Sequence, residues 1–131
     1  MTLYFSDAIV NNKGVIYMSE ATNCVFCKII DGQIPSQKVY EDEDFIVIKD
    51  INPVAPVHLL AIYKKHVPTV GDLSIEDSKN MWRLFEIVKK ITKEEGIESY
   101  RIVQNNGRDA GQEVDHIHFH IIAGRKLGHL G

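Results

Sequence analysis

Residues 115–122 read DHIHFHII. Three of the chain's six histidines stand here at every second position, His116, His118 and His120, with apolar residues between them. Alternation with a period of two is the strand pattern, because successive side chains on a strand face opposite sides of the sheet. The segment therefore predicts a strand over 116–122, with Ile117, Phe119 and Ile121 in a core and the three imidazoles on the other face. Neighbours on one face lie about 6.6–6.8 Å apart, so the row spans about 13 Å and its members need not share one role. Protonated together the imidazoles repel, and buried together each needs a partner. Such a row costs stability unless something uses it. Two uses suit imidazole, whose unperturbed pKa is about 6.5: a metal site, or a site that handles phosphate by nucleophilic and acid–base chemistry.

The stretch just upstream, NNGRDAGQEVD (105–115), carries Gly107 and Gly111. Glycines let backbone N–H groups approach an anion closely. Beside an imidazole row this favours phosphate.

Further out, YRIVQ (100–104) reads as a strand. Ser74 and Asp77 form a capping-box-like start to a long helix over 75–95, with Met81, Leu84, Phe85, Val88 and Ile91 as its apolar stripe and Gly96 as its stop. VHLLAIYK (57–64) is a strand. NPVAP (52–56) is a rigid turn, its two prolines resisting helix. KVYEDEDFIVIKD (38–50) gives strands at 38–41 and 45–49 around an acidic turn, and Val25 to Ile30 gives a short helix. Helix, strands, long helix, strands is the order of an α+β protein with an antiparallel sheet.

The chain has 131 residues, the usual size of one domain. Residues 1–17 read as a loosely packed tail or a start-site artefact, and 18–131 as the domain. A net charge of −3 argues against duplex nucleic acid as the main partner. No apolar run approaches the roughly 20 residues of a membrane helix, and the N-terminus lacks a signal-peptide pattern. The expectation is a cytoplasmic enzyme or binding protein.

Cys24 and Cys27, the two cysteines, form a CxxC pair. A redox pair belongs in a thioredoxin-like βαβ setting, which is missing here. Two ordinary cysteines near a short helix, or half of a zinc site that needs two more ligands, remain open.

These residues together resemble a known family. HIHFHII resembles the His-x-His-x-His-x-x signature of the histidine triad (HIT) superfamily, with x apolar. FCKIIDGQIPSQKVYEDEDFIVIKDINPVAPVHLLAIYKKH and YRIVQNNGRDAGQEVDHIHFHIIAGR resemble the two halves of its Hint branch, the nucleoside phosphoramidate hydrolases. The resemblance spans about residues 24–126. It implies a HIT-like fold of five antiparallel strands with one long and one short helix, paired in a homodimer into a ten-stranded sheet. It also implies cleavage of the bond from the α-phosphate of a purine nucleoside monophosphate to a leaving group. His118 is then the nucleophile, and His120 and His58 line the phosphate pocket. Asp50 holds the ribose, Ile51 packs on the base, and Asn105 contacts the phosphate or ribose edge. Gly111, Gln112, Glu113 and Val114 form the phosphate loop. As in some prokaryotic relatives, Cys24, Cys27, His66 and His116 hold a structural Zn²⁺, and catalysis itself needs no cofactor.

Three departures stand out. Glu113 occupies a position where well-studied Hint enzymes carry serine near the leaving group, and it is expected to turn away and bond to backbone. Asp115 replaces a position often aromatic in relatives. The tail GRKLGHLG lacks the tryptophan of some relatives. Within the resemblance, dinucleoside polyphosphate hydrolysis and nucleotidyl transfer share the same attack at phosphorus. A non-catalytic purine nucleotide sensor or adaptor is a reading of a different class, and a metal hydrolase that uses the histidine row as ligands is a third.

Overall fold

In the computed structural model, the backbone of residues 3–5, 8–10 and 16–18 and all of residues 23–130 are described. Three short strands, β1 (Leu3–Phe5), β2 (Ala8–Val10) and β3 (Ile16–Met18), pair antiparallel in that order in a small sheet. The remainder of the expected tail lies outside the described residues.

The main sheet holds β4 (Lys38–Glu41), β5 (Phe45–Lys49), β6 (Val57–Tyr63), β7 (Tyr100–Val103) and β8 (His118–Ala123). Its order is β4-β5-β6-β8-β7, and every pairing is antiparallel. The α+β class and the five-stranded antiparallel sheet are those the sequence predicts. The acidic turn between β4 and β5 closes on Asp42, whose Oδ1 accepts the N–H groups of Asp44 and Phe45 at 2.7 and 2.8 Å.

The run FIVI on β5 does not alternate with polar residues, and Phe45, Ile46, Val47 and Ile48 are all buried. Both faces of the sheet are therefore covered. On one face Phe45, Val47, Leu59, Ala61, Ile117 and Ile121 pack with Leu84, Ile87, Val88 and Ile91. On the other, Ile46, Ile48, Leu60 and Ile62 pack with Cys24, Phe26 and Ile29 of the short-helix segment α1 (Val25–Ile30). Burying each such side chain contributes about 1.5–3 kcal/mol. Among the described residues, no helix is long and apolar enough to cross a membrane.

Two expectations are corrected. The helix over 75–95 is broken into α2 (Ile75–Asn80) and α3 (Trp82–Glu94). The capping box forms, Ser74 and Asp77 exchanging bonds of 3.0 Å. Asp77 is also tied to the sheet by the Tyr63 hydroxyl at 2.9 Å and Lys65 at 3.1 Å. Around Met81 the ladder then tightens to three-residue steps, Met81 N–H to Ser78 O and Leu84 N–H to Met81 O. After that step Ile87 faces the core, and Phe85 stands 60% exposed.

The stretch DHIHFHII also departs from the expected strand. The strand begins at His118, not at residue 116. The His116 N–H turns back to Val114 O, and the Ile117 N–H is taken by Val67 O. The Tyr63 carbonyl, where the ladder with β6 would continue, receives the His116 ring instead. Phe119 is half-buried against the core rather than within it.

Candidate active site

β6 and β8 put His58, His118 and His120 on the α1 side of the sheet, with His120 opposite Leu60 and His118 opposite Ile62. They line a cleft of about 450 Å³ with Asp50, Ile51, Asn105, Gly111, Glu113 and Val114. Of the expected phosphate-loop residues, Gln112 does not reach the cleft wall. Its buried side chain braces the loop, accepting from the Gly107 N–H at 2.8 Å and donating to Pro68 O and Val114 O at 2.7 and 3.0 Å. Gly111 allows the loop's left-handed turn at φ 100°. Among the described residues, the backbone N–H groups of Glu113 and Val114 make no bond within the chain, so they are free to meet an anion. Glu113 does not turn to the backbone as expected. Its carboxylate is exposed at the cleft and has no partner among the described residues.

Hydrogen-bond partners assign each imidazole tautomer. His118 Nδ1 lies 2.7 Å from the His116 carbonyl oxygen, which can only accept. Nδ1 therefore carries the proton, and Nε2 keeps a lone pair. His58 Nδ1 accepts the Val54 N–H at 3.1 Å, so the neutral ring carries its proton on Nε2. That Nε2 lies 2.9 Å from His120 Nδ1 and 3.3 Å from the Asp50 carboxylate. His120 Nδ1 is thus an acceptor, and its proton sits on Nε2. The result is one lone pair, on His118, and one donor, on His120, on rings 5.1 Å apart. Burial holds the His118 pKa down, partly offset by the bond to the His116 carbonyl. Burial and the neighbouring His118 and His58 bring His120 down to about 4. Both rings are neutral near pH 7.

Asp50, His58 and His120 bring ligand atoms together as a metal site would. The Val54 N–H works against that use, because it keeps the proton on the His58 nitrogen that would have to bind the ion. That proton faces His120 Nδ1 and the Asp50 carboxylate instead.

Cys24, Cys27, His66 and His116 form a second cluster, with opposite logic. The His116 Nε2 donates to the Tyr63 carbonyl, so its Nδ1 presents a lone pair. That Nδ1 faces Cys24 Sγ at 3.3 Å, Cys27 Sγ at 3.4 Å and His66 Nδ1 at 3.2 Å. In a tetrahedral zinc site the ligand atoms lie about 3.3–3.8 Å apart. The Cys27 thiol's hydrogen bond, against the effect of burial and with help from His116, holds the Cys24 thiol near 3, in its thiolate form. His66 Nε2 is buried without a partner among the described residues, so its polar contacts lie inside the cluster. Converging lone pairs and a thiolate fit a soft divalent cation.

The apolar wall of the cleft went unread in the sequence. Phe26, Ile29, Ile48 and Leu60 line it. Their spacing signals a buried helix or strand face, and a ligand wall carries the same signal.

The family model described as "Scavenger mRNA decapping enzyme C-term binding" matches residues 23–129. The purine nucleoside phosphoramidase of Escherichia coli (strain K12) is 43% identical over 113 residues, 85% of this chain and 93% of that protein. A HIT-like protein of Chlamydia pneumoniae is 48% identical over 105 residues, 79% of this chain and 96% of that protein. Among solved structures, a histidine triad protein from Clostridium difficile superposes with a TM-score of 0.79 at 42% identity, covering 83% of this chain and 96% of that one. A HIT family hydrolase from Legionella pneumophila gives 0.77 at 42% identity, covering 81% and 96%. The chain belongs to the histidine triad family of hydrolases, on its Hint-like, purine nucleoside phosphoramidase branch.

Proposed function

We propose that this protein hydrolyses the bond between the α-phosphate of a purine nucleoside monophosphate and its leaving group, a phosphoramidate amine or similar, through a nucleotidyl-histidine on His118. The observation that carries the reading is the bond from His118 Nδ1 to the His116 carbonyl, which leaves Nε2 as a neutral nucleophile on a ring that lines the cleft. His118 Nε2 bonds to phosphorus as the bond to the leaving group breaks. The leaving amine departs with a proton taken from solvent while the His120 Nε2–H holds it by a hydrogen bond, and the His116 carbonyl steadies the charged ring that forms. Water then attacks phosphorus and gives a proton back to solvent. His118 leaves as neutral imidazole, and His58 holds His120 in the required tautomer.

Binding follows the same division. Asp50 receives the ribose hydroxyls. Phe26, Ile29 and Ile51, the last 90% exposed at the rim, offer apolar surface to the base. Asn105 and the N–H groups of Glu113 and Val114 meet the phosphate. The 43% identity to a purine nucleoside phosphoramidase supports the purine moiety. Dinucleoside polyphosphate hydrolysis and nucleotidyl transfer would use the same attack.

Zn²⁺ is the ion we assign to Cys24, Cys27, His66 and His116; it would supply a structural cross-link. Two cysteine ligands suit a reducing compartment, which supports a cytoplasmic location. We assign residues 18–131 to the single HIT domain, a reading supported by the family match over 23–129. Two copies pair into a ten-stranded sheet, a reading supported by the open edge of β7 and by exposed Trp82 and Phe85 on α3. Light scattering that gives the mass of one chain would remove the dimer.

The test of function is AMP release from adenosine 5′-phosphoramidate, with intact protein and His118→Ala side by side. Release by the intact protein alone, with AMP binding kept in both, supports the hydrolase. Binding without release by either moves the sensor reading ahead.

A further inference from the structure

We propose that the Cys/His cluster sets the position of the nucleophile, with His116 and Phe26 as positioning residues that transmit its state to His118. The proposal rests on the hydrolase reading above and adds to it a dependence of turnover on the cluster.

Four contacts carry it. The His116 ring belongs to the cluster, while its backbone carbonyl holds the His118 Nδ1 proton at 2.7 Å. Phe26 stands between the two cysteines and is 6% exposed. Its ring meets His116 edge-on at 6.0 Å and His118 edge-on at 4.9 Å. Ile117, between the two histidines, donates its N–H at 2.7 Å to the carbonyl of Val67, the residue after His66. Each of the four cluster residues is therefore bonded to, or next in sequence to, a group that touches His118 or its chain neighbour.

The physical consequence follows from the lone pairs. Thiolate and imidazole lone pairs that converge without a cation repel one another. A bound cation draws them to fixed distances and so fixes the His116 carbonyl and the Phe26 ring. Misplacing a reacting group by about 1 Å can cost about 100-fold in rate. Asp50, Ile51 and Asn105 come from segments that supply no cluster ligand, and of the surfaces offered to the nucleotide Phe26 and Ile29 share the segment of Cys24 and Cys27. Emptying the cluster therefore lowers kcat more than it lowers nucleotide affinity.

His66 is the residue to change, since it belongs to the cluster and does not line the cleft. His66→Ala is expected to purify with well under one zinc per chain. Its kcat on adenosine 5′-phosphoramidate should fall about tenfold, with the Kd for AMP within about threefold of the intact protein. The hydrogen-bonded His118 Nδ1 proton, a downfield NMR signal in the loaded protein, should broaden or vanish. His66→Cys, which restores a four-ligand set, should recover zinc, kcat and signal. A zinc-free His66→Ala that keeps its kcat and its Nδ1 signal overturns the proposal, as does a loss of AMP affinity in step with kcat. If His66→Ala does not fold, stripping the intact protein with a chelator and adding back one equivalent of Zn²⁺ gives the same readouts. If the loaded intact protein releases no AMP, the hydrolase reading fails, and the Nδ1 signal followed against zinc content still decides the coupling.

Discussion

Two imidazole clusters lie on neighbouring stretches of this chain, and the same residue type serves opposite ends in them. In the Cys/His cluster, His116 sends its proton outward to the Tyr63 carbonyl and turns its lone pair inward to two thiols and a second imidazole. In the cleft, Val54 and the His116 carbonyl fix the rings so that one lone pair and one N–H face the space a substrate would enter. Inward lone pairs attract a cation. An ordered lone pair and proton support attack at phosphorus. The difference comes from backbone groups, two carbonyls and one N–H, and not from the histidines themselves.

Substitutions can break that contrast, and the largest effect belongs to the nucleophile. His118→Ala should lower kcat by about 10⁴-fold or more in the AMP-release assay, because among the described residues no other imidazole lining the cleft presents a free lone pair to it. His120→Ala removes the donor and keeps the nucleophile. It should cost about 10²–10³-fold in kcat, and less on substrates whose leaving group departs without a proton.

Cys27→Ser attacks the other cluster. We expect loss of metal and a fall in Tm of about 5–15 °C, equivalent to roughly 2–4 kcal/mol. A chelator should lower the Tm of the intact protein and leave that of the variant unchanged.

Lowering the pH sharpens the comparison without any substitution. His120 titrates near 4 in the folded chain and near 6.5 when unfolded. Between those values the unfolded chain binds more protons, so this group's contribution is intact above about 6.5 and is lost as the pH falls towards 4. Denaturant midpoints measured across that window should decline with falling pH, and the acid limb of kcat/KM should lie below 6.5.

The smallest effect tests the backbone lock on His58. Arg125 donates to the Val54 carbonyl at 2.9 Å, and the Val54 N–H sets the His58 tautomer. Gly124 lets that end of β8 come close to the 53–56 turn, since at φ 97° a Cβ there would meet Pro56 at 2.8 Å. Arg125→Ala should reduce kcat about two- to threefold, with AMP affinity unchanged, because it loosens a group that acts through His58.

Much of this was legible in the sequence. The strands at 38–41 and 45–49, the short helix at 25–30 and the capping box at Ser74 follow from local pattern, which sets local structure directly. The break near Met81 was not legible, because it arises where Asp77 is held by Tyr63 and Lys65, residues distant in sequence. The late start of β8 was hidden for a similar reason: a perfect alternation continues through His116, and only a ring-to-carbonyl bond across the fold ends the ladder. The histidines and both cysteines announced themselves by type and spacing. Gln112 looked like a phosphate-loop residue and proved to be the loop's brace, since side-chain direction is not written in a glycine-rich stretch. Val54 stayed invisible because it acts through backbone atoms, which every residue carries, and Arg125 because its guanidinium binds one of those backbone atoms.

The ¹⁵N shifts of the imidazole nitrogens at pH 7, in zinc-loaded protein without nucleotide, test the central claim most directly. The account predicts protons on Nδ1 of His118 and on Nε2 of His58, His120 and His116, with no exchange among these forms. A proton on Nε2 of His118, or on Nδ1 of His58, would contradict it, because the cleft would then hold neither the nucleophile nor the ordered donor on which the chemistry rests.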